Sequence, residues 1–385
     1  MPPLPELMEE LVEEVLLRLP PSDPAILVRA ALVCRLWCQL ATGTTFRRRF
    51  REFHRTPPML GFICDAGVVH EDDDNRGEGV FVPTTSFFRS PPLRLPFPGW
   101  RWWDSRHGRV LLHDFPLFDN PCVWKPITGS LEAPLPKMPL HDPDSWTAAV
   151  LCAATGTCDH LDCHDDPFIV VLVGTDELSM FSYVYSSESH KWSESTTAKH
   201  PGDSISVSRS ALVGNALYFL FYKNDRILKY DLRTREMTPM ELTPCYVGTN
   251  LTSQPFVELM AMEDGRLGFA RLEESRLCLW SRDDKDVGWM LGRVIELQNR
   301  IPFKASLADY TYLAGFAEGV STIFVSVGDG VFTIDLKSSL ARLRRLQHST
   351  RDRRGGQRVG PGSADAGARS TRGSTRPTAR QRRQA

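Results

Sequence analysis

The feature that most constrains this chain is a recurrence. A glycine leading a hydrophobic strand appears as Gly108-Arg109-Val110-Leu111-Leu112, as Gly214-Asn215-Ala216-Leu217-Tyr218-Phe219 and as Gly265-Arg266-Leu267-Gly268-Phe269. Each is followed by a second run carrying an aromatic and a polar turn, at 123–129, 227–234 and 277–281. Two weaker copies lie at 181–192 and 330–336. With Trp124, Tyr185, Tyr230, Trp280 and Ile334 as markers, the spacings are 61, 45, 50 and 54 residues. Short β-branched and aromatic runs bounded by Gly, Pro, Asp and Asn read as strands. A strand-built period of this length predicts propeller blades. One four-stranded sheet cannot cover its own faces, whereas radial packing buries both. About six blades are expected, the first, around 60–63 and 80–82, being the least regular. Strand character stops near Leu336, so the last blade is expected to be incomplete.

The first 56 residues are helical in pattern. Leu7, Met8, Leu11, Val12, Val15, Leu16 and Leu19 fill half of a helix circumference, while Leu17 falls among Glu9, Glu10, Glu13 and Glu14. Pro20-Pro21 ends this helix. Ser22-Asp23-Pro24 reads as an N-cap with proline at the first helical position. A single helix over 25–41 is expected, apolar almost all round. Thr44 or Thr45 caps a third helix with Phe46, Phe50 and Phe53 on one side. Such helices present more apolar surface than their own core can absorb. The surplus docks either on another protein or on the chain's own second domain, and pattern alone leaves both open.

These residues resemble an F-box. The resemblance rests on Leu11-Val12-Glu13-Glu14-Val15-Leu16-Leu17-Arg18-Leu19-Pro20-Pro21 followed by Leu32-Val33-Cys34-Arg35-Leu36-Trp37, and it covers roughly 7–50. It departs at Met8, where the family usually has Pro, although a Leu4-Pro5 occurs three residues earlier. The resemblance implies docking on a Skp-family adaptor of a cullin ubiquitin ligase. Carried over by position, the implied contacts are Leu11, Leu16, Leu17, Pro20, Val33, Cys34 and Trp37. The β region resembles the F-box-associated and kelch-like repeats joined to F-boxes in plant proteins, especially large grass families, without the double-Gly kelch signature. The expected class is therefore α+β multidomain. It comprises an F-box helical domain at 1–56, a β-propeller-like domain at 57–337 and a disordered Arg-rich tail at 338–385, with a hinge at Pro57-Pro58. The implied role is a non-enzymatic substrate receptor for an unknown protein target.

Charge is divided unevenly. Residues 338–385 hold 13 Arg, no Lys and 2 Asp, net +11, which leaves the body at net −12. An acidic body gives no sign of nucleic acid as its main partner, whereas the tail could bind RNA or serve as a nuclear address. No run approaches 18 apolar residues and no signal peptide is visible, so a cytoplasmic or nuclear protein with reduced thiols is expected.

Cys152, Cys158, His160, Cys163 and His164 form a metal-like cluster. Tetrahedral zinc prefers two separated ligand pairs, and Cys158, His160, Cys163 and His164 stand too close together for that pattern, so no metal or cofactor is assigned. Glu71-Asp72-Asp73-Asp74 reads as a solvated loop tip. Asn250-Leu251-Thr252 fits a glycosylation acceptor but lacks a secretory route. P-loop, G-x-S-x-G, H-E-x-x-H and dinucleotide fingerprints do not occur, and no catalytic residue is assigned.

Overall fold

A computed structural model describes residues 8–54, 61–65, 79–83, 93–94, 100–114, 121–154, 158–242, 257–301 and 311–345, apart from 22, 127, 133, 140–142, 159, 161–162, 164, 274, 283–287, 299, 318 and 328–329. Pro57-Pro58, the acidic run at 71–74, the acceptor sequence at 250–252, His164 and residues 346–385 lie outside that set.

Four helices open the chain: α1 (Glu9–Leu17), α2 (Pro24–Ala31), α3 (Arg35–Thr42) and α4 (Thr44–His54). The Asp23 carboxylate accepts the Ala25 amide at 3.2 Å and Pro24 begins α2, as the sequence predicts. The single helix expected over 25–41 is two helices. Its backbone breaks at Leu32–Cys34, where Cys34 is fully extended at φ −158° and ψ 170°. Neither Gly nor Pro forces that break. Tertiary packing does: it turns Trp37 and Leu40 onto the core of Val12, Leu16, Leu17 and Phe46 and leaves Leu32 and Val33 outside.

Leu17 is a second correction. Expected on a charged, solvent-facing side, it is only 3% exposed. Helix α4 covers that side, and its Arg49 reaches Glu13 at 2.8 Å and Glu14 at 2.9 Å. The glutamates thus mark an interhelical ion-pair face. His54 Nε2 sits 2.8 Å from the Leu17 carbonyl, one of the orphan acceptors at the end of α1.

The rest is antiparallel sheet. The first sheet has three strands, β1 (Gly61–Asp65), β2 (Gly79–Pro83) and β3 (Leu93–Arg94). Five blades follow. Blade one holds β4 (Trp100–Arg106), β5 (Arg109–Asp114), β6 (Cys122–Lys125) and β7 (Ser130–Leu131). Blade two holds β8 (Ser145–Cys152), β9 (Phe168–Thr175), β10 (Ser179–Ser186), β11 (Lys191–Trp192) and β12 (Thr196–Lys199). The last two both pair with β10, so they are two halves of one outer strand. Blade three holds β13 (Ala211–Val213), β14 (Ala216–Leu220), β15 (Arg226–Asp231) and β16 (Met237–Glu241). Blade four holds β17 (Val257–Ala261), β18 (Leu267–Glu273), β19 (Arg276–Arg282) and β20 (Trp289–Glu296). Blade five holds β21 (Thr311–Ala317), β22 (Thr322–Val327), β23 (Gly330–Asp335) and β24 (Ala341–Arg345).

All five sequence markers fall on the third strand of a blade, so the measured period is the blade period. Gly108, Gly214 and Gly265 sit at φ +73°, +58° and +79°, in the turns that feed the second strands. That backbone explains the glycine at the head of each repeat. The fifth blade is complete, contrary to expectation, because β24 pairs with β23 from Ile334↔Ala341 to Gly330↔Arg345. Five blades are formed rather than the six expected: where the sequence predicts a further first blade, the described residues form a three-stranded sheet. It packs Phe62 on Phe324 of the last blade, centroids 4.8 Å apart, and Ile63 on the Val110, Leu112 and Trp124 cluster of blade one.

The cores lie between neighbouring blades. Leu111, Val123, Val150 and Leu172 join blades one and two, and Leu151, Val171, Leu217 and Phe219 join two and three. A buried ion pair within β4 reaches out of its own blade through hydrogen bonds. The Arg106 guanidinium donates to Asp104 at 3.1 Å and to the Ser210 carbonyl at 2.7 Å, while Asp104 also accepts the Val150 amide at 2.9 Å.

His113 is buried in blade one, stacked on Trp103 with centroids 4.1 Å apart. Burial holds its imidazole down at about 4, with Arg101 pushing the same way and the Asp114 carbonyl and carboxylate opposing. An unfolded chain takes up this proton near 6.5, the folded one only near 4, so acid favours unfolding between those values. Above that window His113 has no effect; within it, stability should fall by up to about 1.4 kcal/mol per pH unit. Urea midpoints compared at about pH 7 and pH 5 should drop further in the wild type than in His113→Gln. Equal drops would mean that His113 charges without penalty.

Candidate adaptor-docking surface and the loop cluster

Helix α1 carries two apolar stripes. Val12 and Leu16 face the helical core, while Met8, Leu11 and Val15, at positions i, i+3 and i+7, remain exposed. The break between α2 and α3 also exposes Leu32, at 79%, together with Val33 and Cys34. Val28 adds to the exposed apolar surface of α2. Of the seven residues singled out in the sequence, Leu11, Pro20, Val33 and Cys34 are exposed. Trp37 is half-buried and packs against the helical core. Leu16 and Leu17 are inside it and offer no surface. Met8, Val15 and Leu32, outside those seven, are exposed as well, and a continuous helix gives no reason for the turn that bares Leu32.

The helical core is built from residues of the four helices and their connecting turn alone. Among the described residues it includes no side chain of the β region.

A cleft of about 330 Å³ opens between blades two and three, with Val171, Val184, Trp192 and Tyr230 in its walls and Lys191 and Arg235 among its lining. Burial raises the Tyr230 phenol above its usual range. Such a cleft can take an apolar side chain next to an acidic group.

The sequence cluster on the loop from β8 to β9 is drawn together in space. Cys152, Cys158, His160 and Cys163 place their ligating atoms within 4.8 Å of one another. Cys152, at the last position of β8, is the member that local spacing failed to select. Burial, reinforced by the Cys152 and Cys158 thiols, pushes the Cys163 thiol up to about 12.

Residues 9–52 match the F-box-like family, and the helical module is an F-box-like domain. No curated protein matches the chain. Among solved structures, a protein from Lactobacillus plantarum is similar at 11% identity and a TM-score of 0.43, covering 74% of this chain and 82% of its own. TolB from Acinetobacter baumannii is similar at 10% identity and a TM-score of 0.41, covering 79% and 69%. A chain of the mitotic checkpoint complex is similar at 10% identity and a TM-score of 0.35, covering 63% and 64%. The strand pairing described above, and not these distant likenesses, defines the propeller. The chain thus joins an F-box-like domain to a β-propeller.

Proposed function

We propose that this chain is the substrate-receptor subunit of a Skp–cullin–F-box ubiquitin ligase. The observation that carries the reading is the apolar surface of Leu11, Val15, Leu32, Val33 and Cys34 on a small module whose own core is already closed. A patch of that kind on a soluble domain marks an interaction site. The partner is a Skp-family adaptor and, through it, a cullin, while the propeller holds a protein target. The contribution to ubiquitin transfer is proximity: one chain holds the ligase core and the target together and raises their effective concentration, with no bond chemistry of its own. The pairing of an F-box-like domain with a repeat β-domain supports a receptor of the plant, grass-type kind. This role belongs to the cytoplasm or nucleus.

Of the residues carried over from the family, Leu11, Pro20, Val33 and Cys34 are proposed as direct contacts, joined by Val15 and Leu32. Trp37 acts from beneath by holding α3 in place. The test is co-purification of the full chain with a Skp-family adaptor. Wild type should retain the adaptor, and Leu32→Asp should weaken capture about tenfold or more by placing a charge in an apolar interface. The helical circular dichroism should stay the same, because Leu32 supports no core. No capture by the wild type, beside an established F-box control that binds, would overturn the proposal.

A further inference from the structure

We propose that the loop between β8 and β9 holds a structural zinc ion through Cys152, Cys158, His160 and Cys163. Three thiols and an imidazole form a Cys₃His set, one of the standard closed sets for zinc, whereas calcium and magnesium take oxygen ligands. Tetrahedral zinc with its usual bond lengths sets sulfur–sulfur separations of about 3.8 Å and sulfur–nitrogen separations of about 3.5 Å. In the structure Cys163 Sγ lies 3.7 Å from His160 Nδ1, and all four ligating atoms lie within 4.8 Å. Closing the set around an ion therefore needs shifts of about 1 Å at most.

The four ligands differ in how they are held, and the difference suits the task. Cys152 and Cys163 are buried. Cys152 ends β8, and the Cys163 carbonyl accepts the buried Arg109 guanidinium at 2.5 Å and the Asp166 amide at 3.1 Å. Cys158 and His160 are half-buried on the intervening loop. A further layer supports them. His107, in the turn between β4 and β5, stacks on His160 with centroids 4.0 Å apart. Its Nδ1 accepts the Cys152 amide at 3.1 Å. Supporting contacts of this kind orient metal ligands. On binding, zinc exchanges its waters for three thiolates and one neutral imidazole, and the three thiol protons pass to solvent. The loop that stretches the local repeat to 61 residues would then be pinned to the face of blades one and two.

The full chain, produced in zinc-supplemented medium under reducing conditions, should carry about one zinc per molecule by elemental mass spectrometry. Cobalt exchange should give the thiolate charge-transfer and red d–d bands of a tetrahedral site. The half-buried Cys158 should resist alkylation until a chelator is added, while the exposed Cys38 reacts throughout. His160→Ala and Cys158→Ser should each lower zinc retention by about tenfold or more, with the β circular dichroism unchanged. If either variant fails to fold, the alkylation pattern of the wild type with and without chelator decides. Metal-free wild type with no cobalt spectrum, a Cys152–Cys163 disulfide in place of the ion, or full zinc content in both variants would each overturn the site.

Discussion

Asp104→Ala should lower the stability of the propeller by about 3–5 kcal/mol, among the largest single effects available in this chain. Asp104 and Arg106 side chains are 3% and 5% exposed, so removing the carboxylate takes a 3.1 Å acceptor and an adjacent opposite charge away from a buried guanidinium. It also strips the Val150 amide of its 2.9 Å acceptor, a second desolvation penalty on the neighbouring blade. The loss should appear as a clear shift of the urea midpoint followed by tryptophan fluorescence. Asp104→Ala combined with Arg106→Met should recover much of it, because the cost lies mainly in the stranded charge and less in the lost attraction. A single-variant loss under about 1 kcal/mol would mean that water reaches the pair.

Leu17→Ala should melt the helical module while the β-blades stay folded. Truncating a fully buried leucine typically costs about 2–5 kcal/mol. A core built on Val12, Leu16, Leu17 and Phe46 in a module of this size has little to spare. Helical circular dichroism and adaptor capture should therefore fall together in Leu17→Ala, whereas Leu32→Asp should lose capture alone. The two variants separate packing from docking, with Leu17 on the packing side. Persistence of helix and capture in Leu17→Ala would sink that assignment.

Much of this architecture is legible in the residues, and the misreadings have physical causes. The blade period was readable because the same turn glycine and the same third-strand position recur, and both are local requirements of backbone geometry. The fifth blade's last strand was hidden by its arginines, since Arg342 and Leu343 both face outward on an edge. A signal for it was nevertheless present. Asp335-Leu336-Lys337-Ser338 repeats Asp231-Leu232-Arg233-Thr234. In both turns the aspartate accepts the amide three residues on, at 2.7 Å from Ser338 and 2.9 Å from Thr234. Those amides hold both carboxyls below their usual range, although burial works against this more strongly at Asp335. A turn that launches the outer strand of blade three launches one in blade five. The helix break at Leu32–Cys34 carried no such mark. It is decided by where Trp37 must go, a long-range demand that periodicity cannot express. Leu17 was misplaced for the opposite reason: its glutamate neighbours look solvated until the sequence-distant Arg49 is set against them. The Cys and His cluster was legible as a group, but the choice of its four converging members was not, because only the folded loop brings Cys152 to Cys158, His160 and Cys163.

The first sheet has a consequence for how the ring is held shut. Among the described residues, every ladder in the β-domain joins strands that follow one another closely in the chain, and none pairs a strand of the first sheet with one of the last blade. Many rings can be imagined as clasped by a shared strand, but here the two ends meet through side chains, Phe62 against Phe324. Parting that contact breaks no strand ladder among the described residues. The barrier to springing the ring is then set by apolar contact at one joint, and the remaining blades can stay stacked as an open arc while it gapes. The F-box-like domain is attached just ahead of this seam, six residues before β1.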